Sequence, residues 1–283
     1  MDQNTKEIIK MKKVITLTLA LLMLLGAVCC FASCGGTNND NKNSTPDGSN
    51  VENDGMGTDT NKKVLKMATN AYFAPYEFYE GGKIVGIDAE IAMAIADKLG
   101  MELVIEDMAF DSILTAVQNG SVDFGMAGMT VTNDRLEEVN FTISYAKGVQ
   151  AIIVKEDSAI TDVKDLSADG ATYKIGVQLG TTGDIYTSGD FEGRVTQYTT
   201  GNEAVAALLK GDVDCVIIDN EPAKAYVKNN AGTKILETTY TDEDYAICVS
   251  KENEALLDKL NEAIADLIED GTVKTIVDKY IKE

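Results

Sequence analysis

Two segments of this chain follow the same pattern, and their repetition constrains the fold more than any other feature. Residues 113–126 and 205–219 each read as a helix, a glycine stop, the dipeptide Val-Asp and a buried strand. A unit that recurs after about ninety residues indicates internal structural repetition, so we predict two similar α/β lobes. Each lobe would supply the end of one strand to a shared cleft.

The folded part, from residue 64 onwards, alternates short apolar strands with amphipathic helices, which is typical of an α/β protein. We predict helices capped by Asp88 and Asp111 that end at Gly100 and Gly120. A C-terminal helix with an apolar core-facing stripe would end at Gly271. Further predicted strands cover residues 64–69, 101–105, 124–129, 173–178, 234–236 and 245–249.

Residues 123–135 have the character of a ligand site, because a glycine-containing apolar strand runs into a polar loop. Thr130 offers a hydroxyl and an N–H group. Arg135 carries a planar fork of donors that suits a carboxylate. The alternative interpretation is an ordinary strand followed by a loop and a solvated arginine.

The corresponding region of the second repeat supplies a complementary set of groups. Residues 179–183 form a Gly/Thr loop before a predicted helix, and free N–H groups at a helix start favour an anion. The loop lacks the length and the lysine of a phosphate-binding loop, so a carboxylate fits better. Asp219 ends the second strand, where it either faces the arginine loop or caps the helix that contains Pro222.

Charge and missing residue types exclude several functions. The net charge of −21 argues against nucleic acid or an anionic membrane surface as a partner. The chain has no histidine, which excludes Ser-His-Asp triads and histidine zinc sites. Cys215 and Cys248 lack metal-ligand spacing, and we expect free buried thiols rather than a disulfide. No metal site and no cofactor are predicted.

The N-terminal segment predicts export. Lys10, Lys12 and Lys13 precede the apolar residues 14–31, and Phe31-Ala-Ser-Cys34 resembles a bacterial lipobox, so residues 1–33 are interpreted as a lipoprotein signal peptide. Cys34 would carry the lipid, and residues 34–63 would form a flexible tether. The alternative is an uncleaved membrane helix, since the apolar run is near the lower limit of roughly 17–25 residues.

From residue 64 to the end, the chain resembles the extracellular amino-acid-binding proteins of bacterial ABC importers, also called solute-binding protein family 3. The order and spacing of several runs carry the resemblance: residues 71–78, 85–91, 127–135, 180–182, 213–219 and 270–272. The family implies a two-lobed, type II periplasmic-binding-protein-like α/β fold with two crossing strands as a hinge. Those strands would lie near residues 147–151 and 240–245.

The resemblance also implies a division of the chain and a set of ligand-binding residues. The first lobe would comprise residues 64–148 and 245–283, and the second residues 149–244. Arg135, with the N–H groups of Thr130 and Thr182, would bind an α-carboxylate, while the Gly128 carbonyl, the Thr130 hydroxyl and Asp219 would bind the α-ammonium. The remaining site residues would be Asn70, Phe73, Phe110, Ala127, Gln178 and Thr181, with Ile218 nearby. Phe73 and Phe110 have plain core packing as their alternative.

The resemblance further implies that the protein captures an amino acid for a membrane permease and its ATPase, as a lipid-anchored extracellular monomer. Asn70, Gln178 and Ile218 bring no formal charge. A neutral polar ligand such as glutamine or cystine is therefore expected. Two alternatives remain open. One is an enzyme like the cyclohexadienyl dehydratases, for which the sequence offers no spare acid or base. The other is a sensor ectodomain, which would need another membrane segment.

Overall fold

The computed structural model describes residues 62–237 and 240–282, which fall within one compact unit. The strands are β1 (Val64–Thr69), β2 (Tyr72–Phe73), β3 (Glu77–Glu80), β4 (Lys83–Val85), β5 (Glu102–Asp107), β6 (Phe124–Gly125), β7 (Val139–Phe141), β8 (Ala146–Lys155), β9 (Ile175–Gln178), β10 (Val195–Tyr198), β11 (Cys215–Asp219), β12 (Thr233–Ile235), β13 (Thr241–Tyr245) and β14 (Cys248–Ser250). The helices are α1 (Ile87–Lys98), α2 (Ile113–Gln118), α3 (Asn133–Glu138), α4 (Thr182–Asp190), α5 (Gly201–Lys210), α6 (Asn220–Asn229), α7 (Glu254–Glu269) and α8 (Thr272–Tyr280), with 3-10 turns at Phe110–Ser112 and Val163–Ser167. The predicted signal peptide, Cys34 and nearly all of the tether lie outside the described residues.

The first lobe is built on a sheet with strand order β5-β1-β6-β14-β7. Its three leading strands are parallel, and β14 runs antiparallel to both of its neighbours. Helices α1, α7 and α8 cover one face through apolar residues such as Ile91, Ile95 and Leu260, all fully buried. Helix α2 covers the other face. A small sheet, β2-β3-β4, precedes α1.

The second lobe is built on a sheet with strand order β10-β9-β11-β8-β12. Its helices α5 and α6 pack on one face around Val205, Leu208 and Val216. A separate apolar cluster that includes Ile152 and Ile217 fills the other face. The sequence repeat is thus present as two strand–helix layers, and the predicted two-lobed α/β fold is confirmed.

The chain passes between the sheets along two paired strands. β8 leaves the first lobe and β13 returns to it, and they pair antiparallel from Thr241 opposite Gln150 to Tyr245 opposite Ala146. The limits of the lobes predicted at residues 148 and 245 remain predictions, since the crossing strands belong to both sides.

Three local predictions were wrong. Asp88 does not cap α1: Gly86 is the cap residue, with a φ of +126°, and Asp88 is fully buried in the first turn. Asp111 lies inside a 3-10 turn and caps nothing. The strand predicted to reach Met129 pairs only at Phe124 and Gly125. The site loop that follows it is held instead against β13, by hydrogen bonds such as that from Val131 N to the Asp244 carbonyl, 3.1 Å.

Cys215 and Cys248 are free and buried, as predicted. In the part of the chain that the structure describes, no helix has the length and apolar character needed to cross a membrane. Within the same residues, no group of three or more cysteine or carboxylate side chains is arranged to hold a metal ion.

Candidate ligand-binding site

A cavity lies between the lobes. All the predicted site residues except Asp219 line it: Asn70, Phe73, Phe110, Ala127, Gly128, Thr130, Arg135, Gln178, Thr181 and Thr182. Four residues that the sequence analysis missed complete the lining: Glu77, Gln150, Glu243 and Tyr245. The side chains therefore come from both lobes and from both crossing strands.

Arg135 is the central charged group of the cavity and is only 4% exposed. Its position in α3 is fixed because Thr132 caps that helix and accepts the Arg135 N–H at 3.2 Å. One guanidinium nitrogen donates to the Thr130 carbonyl at 2.7 Å, and the other donates across the cleft to the Gly180 carbonyl at 2.9 Å. The guanidinium carbon lies 5.5 Å from the centre of the Phe110 ring.

The charge of Arg135 is not compensated by a salt bridge with any described carboxylate. Burial lowers the pKa of the guanidinium, and the charge of Glu243 acts in the opposite direction. Burying a cation that has only carbonyl partners costs free energy, because no opposite charge at contact distance offsets its desolvation. The arrangement therefore favours a bound anion.

The start of α4 supplies the second-lobe wall opposite Arg135. Thr181 caps the helix, its hydroxyl accepting from Asp184 N at 3.3 Å, and Thr182 begins it as a buried residue. The first-turn N–H groups of this nine-residue helix carry the positive end of its dipole. Asp184 holds the preceding loop by accepting the Gly180 N–H at 3.0 Å. The cavity thus has anion-attracting groups on both walls.

Gly128 brings bare backbone to the cavity on the first-lobe side. Its φ is +53°, a left-handed conformation that favours glycine. A Cβ at this position would stand 2.9 Å from Cε1 of Phe73, so any side chain would displace that ring. Its N–H donates to Asp88 Oδ2 at 2.8 Å, so this N–H is already engaged within the protein. The Gly128 carbonyl is then the backbone group through which this residue could contact a ligand. The loop can present this carbonyl to a positively charged ligand group.

Asn70 and Gln178 form a bridge of amides between the lobes. The Gln178 amide donates to Asn70 Oδ1 at 3.0 Å, and the Asn70 amide donates to the Met108 carbonyl at 2.8 Å. Both side chains are buried and uncharged. Ile218, which was expected near them, is buried in the second-lobe core and is not among the residues that line the cavity.

Asp219 occupies the helix-cap position that was its alternative interpretation. It caps α6, with Oδ1 accepting the Glu221 N–H at 3.0 Å. Its Oδ2 accepts from the Tyr245 hydroxyl at 2.7 Å and from Val149 N at 3.1 Å. Burial raises the pKa of this carboxyl to about 7, against the lowering effect of these three donors. In this arrangement Asp219 lies behind Tyr245 and does not line the cavity.

Glu243 and Gln150 are acidic and amide groups that the crossing strands bring to the cavity. The Gln150 amide donates to Glu243 Oε2 at 2.8 Å. Within the described residues, Glu243 Oε1 and Gln150 Oε1 are buried and have no hydrogen-bond partner. A signal for Glu243 was present in the sequence, because strand alternation in β13 places residues 243 and 245 on one face.

Glu77 was also missed, and it is fully buried at the cavity wall. It is the first residue of β3 and stands directly opposite Phe73 of β2. Residues opposite each other in an antiparallel pair project to the same face, so Glu77 lies beside the aromatic wall. No sequence signal separated it from an ordinary exposed strand glutamate.

Comparison with known proteins identifies the relatives of this chain. A family model described as bacterial extracellular solute-binding proteins, family 3, matches residues 65–283. The arginine-binding extracellular protein ArtP of Bacillus subtilis is 31% identical over 268 residues, which cover 92% of this chain and 96% of ArtP.

Solved structures agree in fold over the same region. An ancestral arginine-binding protein, solved with glutamine and with arginine, is 39% and 38% identical, with TM-scores of 0.73 and 0.72; each match covers 78% of this chain and 99% of the other. An ancestral amino-acid-binding protein described as a precursor of cyclohexadienyl dehydratase is 28% identical, with a TM-score of 0.71 over 77% of this chain and 96% of its own.

Proposed function

Since this chain belongs to the bacterial extracellular solute-binding proteins of family 3, we propose that it captures a free amino acid and delivers it to an ABC permease and its ATPase. The observation that carries the proposal is Arg135, a buried guanidinium in an enclosed cavity, with no described carboxylate in salt-bridge contact. An α-carboxylate supplies the missing charge and accepts two parallel hydrogen bonds from the fork.

In the proposed complex, the N–H groups of Thr130 and Thr182 also donate to the α-carboxylate. The α-ammonium is held by the Gly128 carbonyl and the Thr130 hydroxyl, together with an acid. Asp219 was the predicted acid, and it fills this role only if Tyr245 moves aside. Glu243 is the better placed candidate, because its Oε1 is unpartnered within the described residues and the side chain lines the cavity.

The ligand side chain would lie between Phe73 and Phe110 and reach the amide bridge of Asn70 and Gln178. Because this bridge carries no formal charge, a neutral polar side chain such as that of glutamine or cystine is the first candidate. The glutamine-bound structure of the ancestral arginine-binding protein supports that choice. A cationic side chain is the second candidate, supported by the buried carboxyl of Glu77 at the cavity wall.

Turnover is not expected. Family 3 members and the relatives of this chain are described as binding proteins, although one related ancestral protein is a precursor of cyclohexadienyl dehydratase. Glu77 and Glu243 are buried acids in the cavity, so the enzyme alternative requires a direct test. We expect cyclohexadienyl substrates to remain unchanged after incubation with the protein. Formation of an aromatic product would support the enzyme alternative.

A thermal-shift screen of the folded chain against the twenty amino acids, followed by calorimetry, tests the proposal. A ligand at 100 times its Kd stabilises the folded state by about 2.7 kcal/mol, which is a readily measured shift in melting temperature. We expect one or a few amino acids to stabilise the protein in a saturable manner. If no amino acid shifts the transition of the correctly folded protein, amino-acid capture is wrong.

We propose a lipid anchor at Cys34, outside the described residues, which would keep the protein at the outer face of the cytoplasmic membrane. A Cys34→Ala chain should lose the lipid. Cell fractionation and mass spectrometry test this. An uncleaved Cys34→Ala precursor in the membrane fraction would indicate the transmembrane alternative.

A further inference from the structure

Glu77 and Asp88 form a fully buried pair of carboxyl groups next to the cavity. Asp88 Oδ2 accepts from Gly128 N and from the Tyr145 hydroxyl, both at 2.8 Å. Both Glu77 oxygens and Asp88 Oδ1 lack a hydrogen-bond partner among the described residues.

A fully buried carboxyl group that receives no hydrogen bond is costly to ionise, so burial favours the protonated form of Glu77. The groups that act electrostatically on Glu77 favour the same form. They are the carboxyls of Asp88, Asp107 and Asp219, and Glu77 in turn acts on the phenols of Tyr76, Tyr145 and Tyr226. No lysine or arginine appears among them.

The proton resides on Glu77 rather than on Asp88. Asp88 has two donors to stabilise its charge, so that its pKa, raised by burial, reaches only about 6. Burial, followed by the charge of Asp88, raises the pKa of Glu77 well above its ordinary value. At neutral pH, Asp88 is therefore the ionised partner that holds the Gly128 loop, and Glu77 presents a neutral carboxyl to the cavity.

We propose that Glu77 is a proton-exchanging subsite for the side chain of the ligand. Glu77 stays protonated beside a neutral ligand side chain and releases its proton to solvent beside a cationic one. This inference rests on the proposed function and deepens it. Glu77-COOH becomes Glu77-COO⁻ plus one solvated proton, and the carboxylate then pairs with an ammonium or guanidinium group. The same cavity thereby accepts a neutral amide or a basic amino acid without burying an uncompensated charge.

The mechanism makes the two ligand classes differ in their pH dependence. When binding releases one proton, the association constant rises tenfold for each pH unit below the pKa of the releasing group, whereas binding without proton release is independent of pH. Affinity for arginine should therefore rise with pH, by up to tenfold per unit, as long as Glu77 is protonated in the free protein. Affinity for glutamine should stay constant over the same pH range.

Calorimetry of arginine and glutamine binding, at pH 7 in two buffers with different ionisation enthalpies, counts the protons released. We expect close to one proton for arginine and close to none for glutamine. Glu77→Gln should abolish the release and weaken arginine binding at least tenfold more than glutamine binding. Asp88→Asn gives a second variant, because removing the charge of Asp88 removes one cause of the raised pKa of Glu77, so arginine should release fewer protons.

The protonation of Glu77 can also be measured in the protein without any ligand. In protein with 13C-labelled glutamate carboxyls, the resonance that disappears in Glu77→Gln should have a pKa well above the ordinary glutamate value. Titration of that resonance near an ordinary glutamate pKa would overturn the proposal.

The outcomes also separate the inference from the proposed function. Equal proton release with arginine and glutamine, or binding of glutamine without arginine, would overturn the inference and leave amino-acid capture standing. Absence of binding by every amino acid would overturn both.

Discussion

Arg135 is the side chain on which the proposed capture of an amino acid most depends. The guanidinium is buried and bonds to carbonyls from both lobes, so a ligand carboxylate would meet a cation whose position is already fixed. Preorganisation of this kind reduces the entropic cost of binding, because the side chain is immobilised before the ligand arrives.

Arg135→Ala should abolish measurable amino-acid binding while the protein remains folded, since losing one member of a desolvated charge pair costs about 2–5 kcal/mol. Calorimetry on the folded variant tests this. Arg194→Ala is a matched control, because Arg194 also donates to two carbonyls, of Ala171 and Leu166, and lies over a phenylalanine, Phe191, away from the cavity. Wild-type affinity in Arg135→Ala would place the site elsewhere.

Buried carboxyls should also make stability depend on pH. Burial raises the pKa of Asp219 to about 7 from an ordinary value of 3.8. Between these values the folded state binds more protons at this group than the unfolded state, so the stabilising contribution of Asp219 is largest below about pH 4 and is lost as the pH rises through 7. The loss is on the order of 1.4 kcal/mol for each unit by which the pKa is raised.

Urea unfolding at several pH values between 4 and 8 measures this slope. Asp219→Asn should make the fall in unfolding free energy shallower, with a fall remaining from Glu77 and Asp88, whose pKa values are also raised. The control is Asp165→Asn, since hydrogen bonds from Thr161 and Asp162 lower the pKa of that exposed carboxyl. An unchanged slope in Asp219→Asn would show that Asp219 titrates normally in the folded state.

At the scale of elements, the site depends on how helix α4 begins. Asp184 lies in its first turn, is buried, and accepts hydrogen bonds from Gly180 N, Ser188 and Gln197. Gly180 in turn accepts from Arg135 through its carbonyl. The carboxylate of Asp184 therefore determines where the second-lobe loop meets the first lobe, without lining the cavity itself.

Asp184→Ala should weaken amino-acid binding by about 1–3 kcal/mol, because the Gly180 loop loses its anchor and a buried polar partner is left unsatisfied. Binding calorimetry, with circular dichroism to verify folding, measures the effect. Glu203→Ala is the control, since Glu203 accepts from the N–H groups of Thr199 and Thr200 before α5 and stands away from the cavity. Equal losses of affinity in both variants would contradict the role of Asp184.

At the scale of the whole molecule, several contacts join the two lobes around the cavity. The Tyr226 hydroxyl of α6 donates to the Tyr72 carbonyl of β2 at 2.8 Å, in addition to the bridges made by Arg135 and Gln178. A ligand that touches both lobes favours the closed arrangement by its differential affinity alone. Contacts that lie outside the cavity should therefore change affinity through closure.

Tyr226→Phe should weaken every amino-acid ligand by the same factor, about fivefold, since one net hydrogen bond of about 1 kcal/mol is lost from the closed state. Calorimetry gives the factor, and small-angle scattering should show less ligand-induced compaction. The control Tyr240→Phe removes a hydroxyl that bonds to Asp190 within the second lobe. A changed ranking of ligands in Tyr226→Phe would mean that it acts on the site directly.

The sequence alone determined the fold class and most of the residues that line the cavity. Strand and helix periodicity, glycine stops and the repeated unit follow from local physical chemistry, and they identified β1, β9 and α7 closely. The polar loops after two strands identified Arg135, Thr130 and Thr182, because ligands bind where strands of an α/β sheet end.

The tertiary structure decided which acids face the ligand. From the local sequence, Asp219 could be either a ligand-binding residue or a helix cap. Only the tertiary structure shows that its oxygens already accept hydrogen bonds from Tyr245, Val149 and Glu221. Glu77 and Glu243 look like ordinary polar strand residues, and the pairing of β2 with β3 and of β13 with β8 turns them inward. Strand register and crossing are non-local, so no single stretch of the chain encodes which carboxyl groups become buried at the cavity.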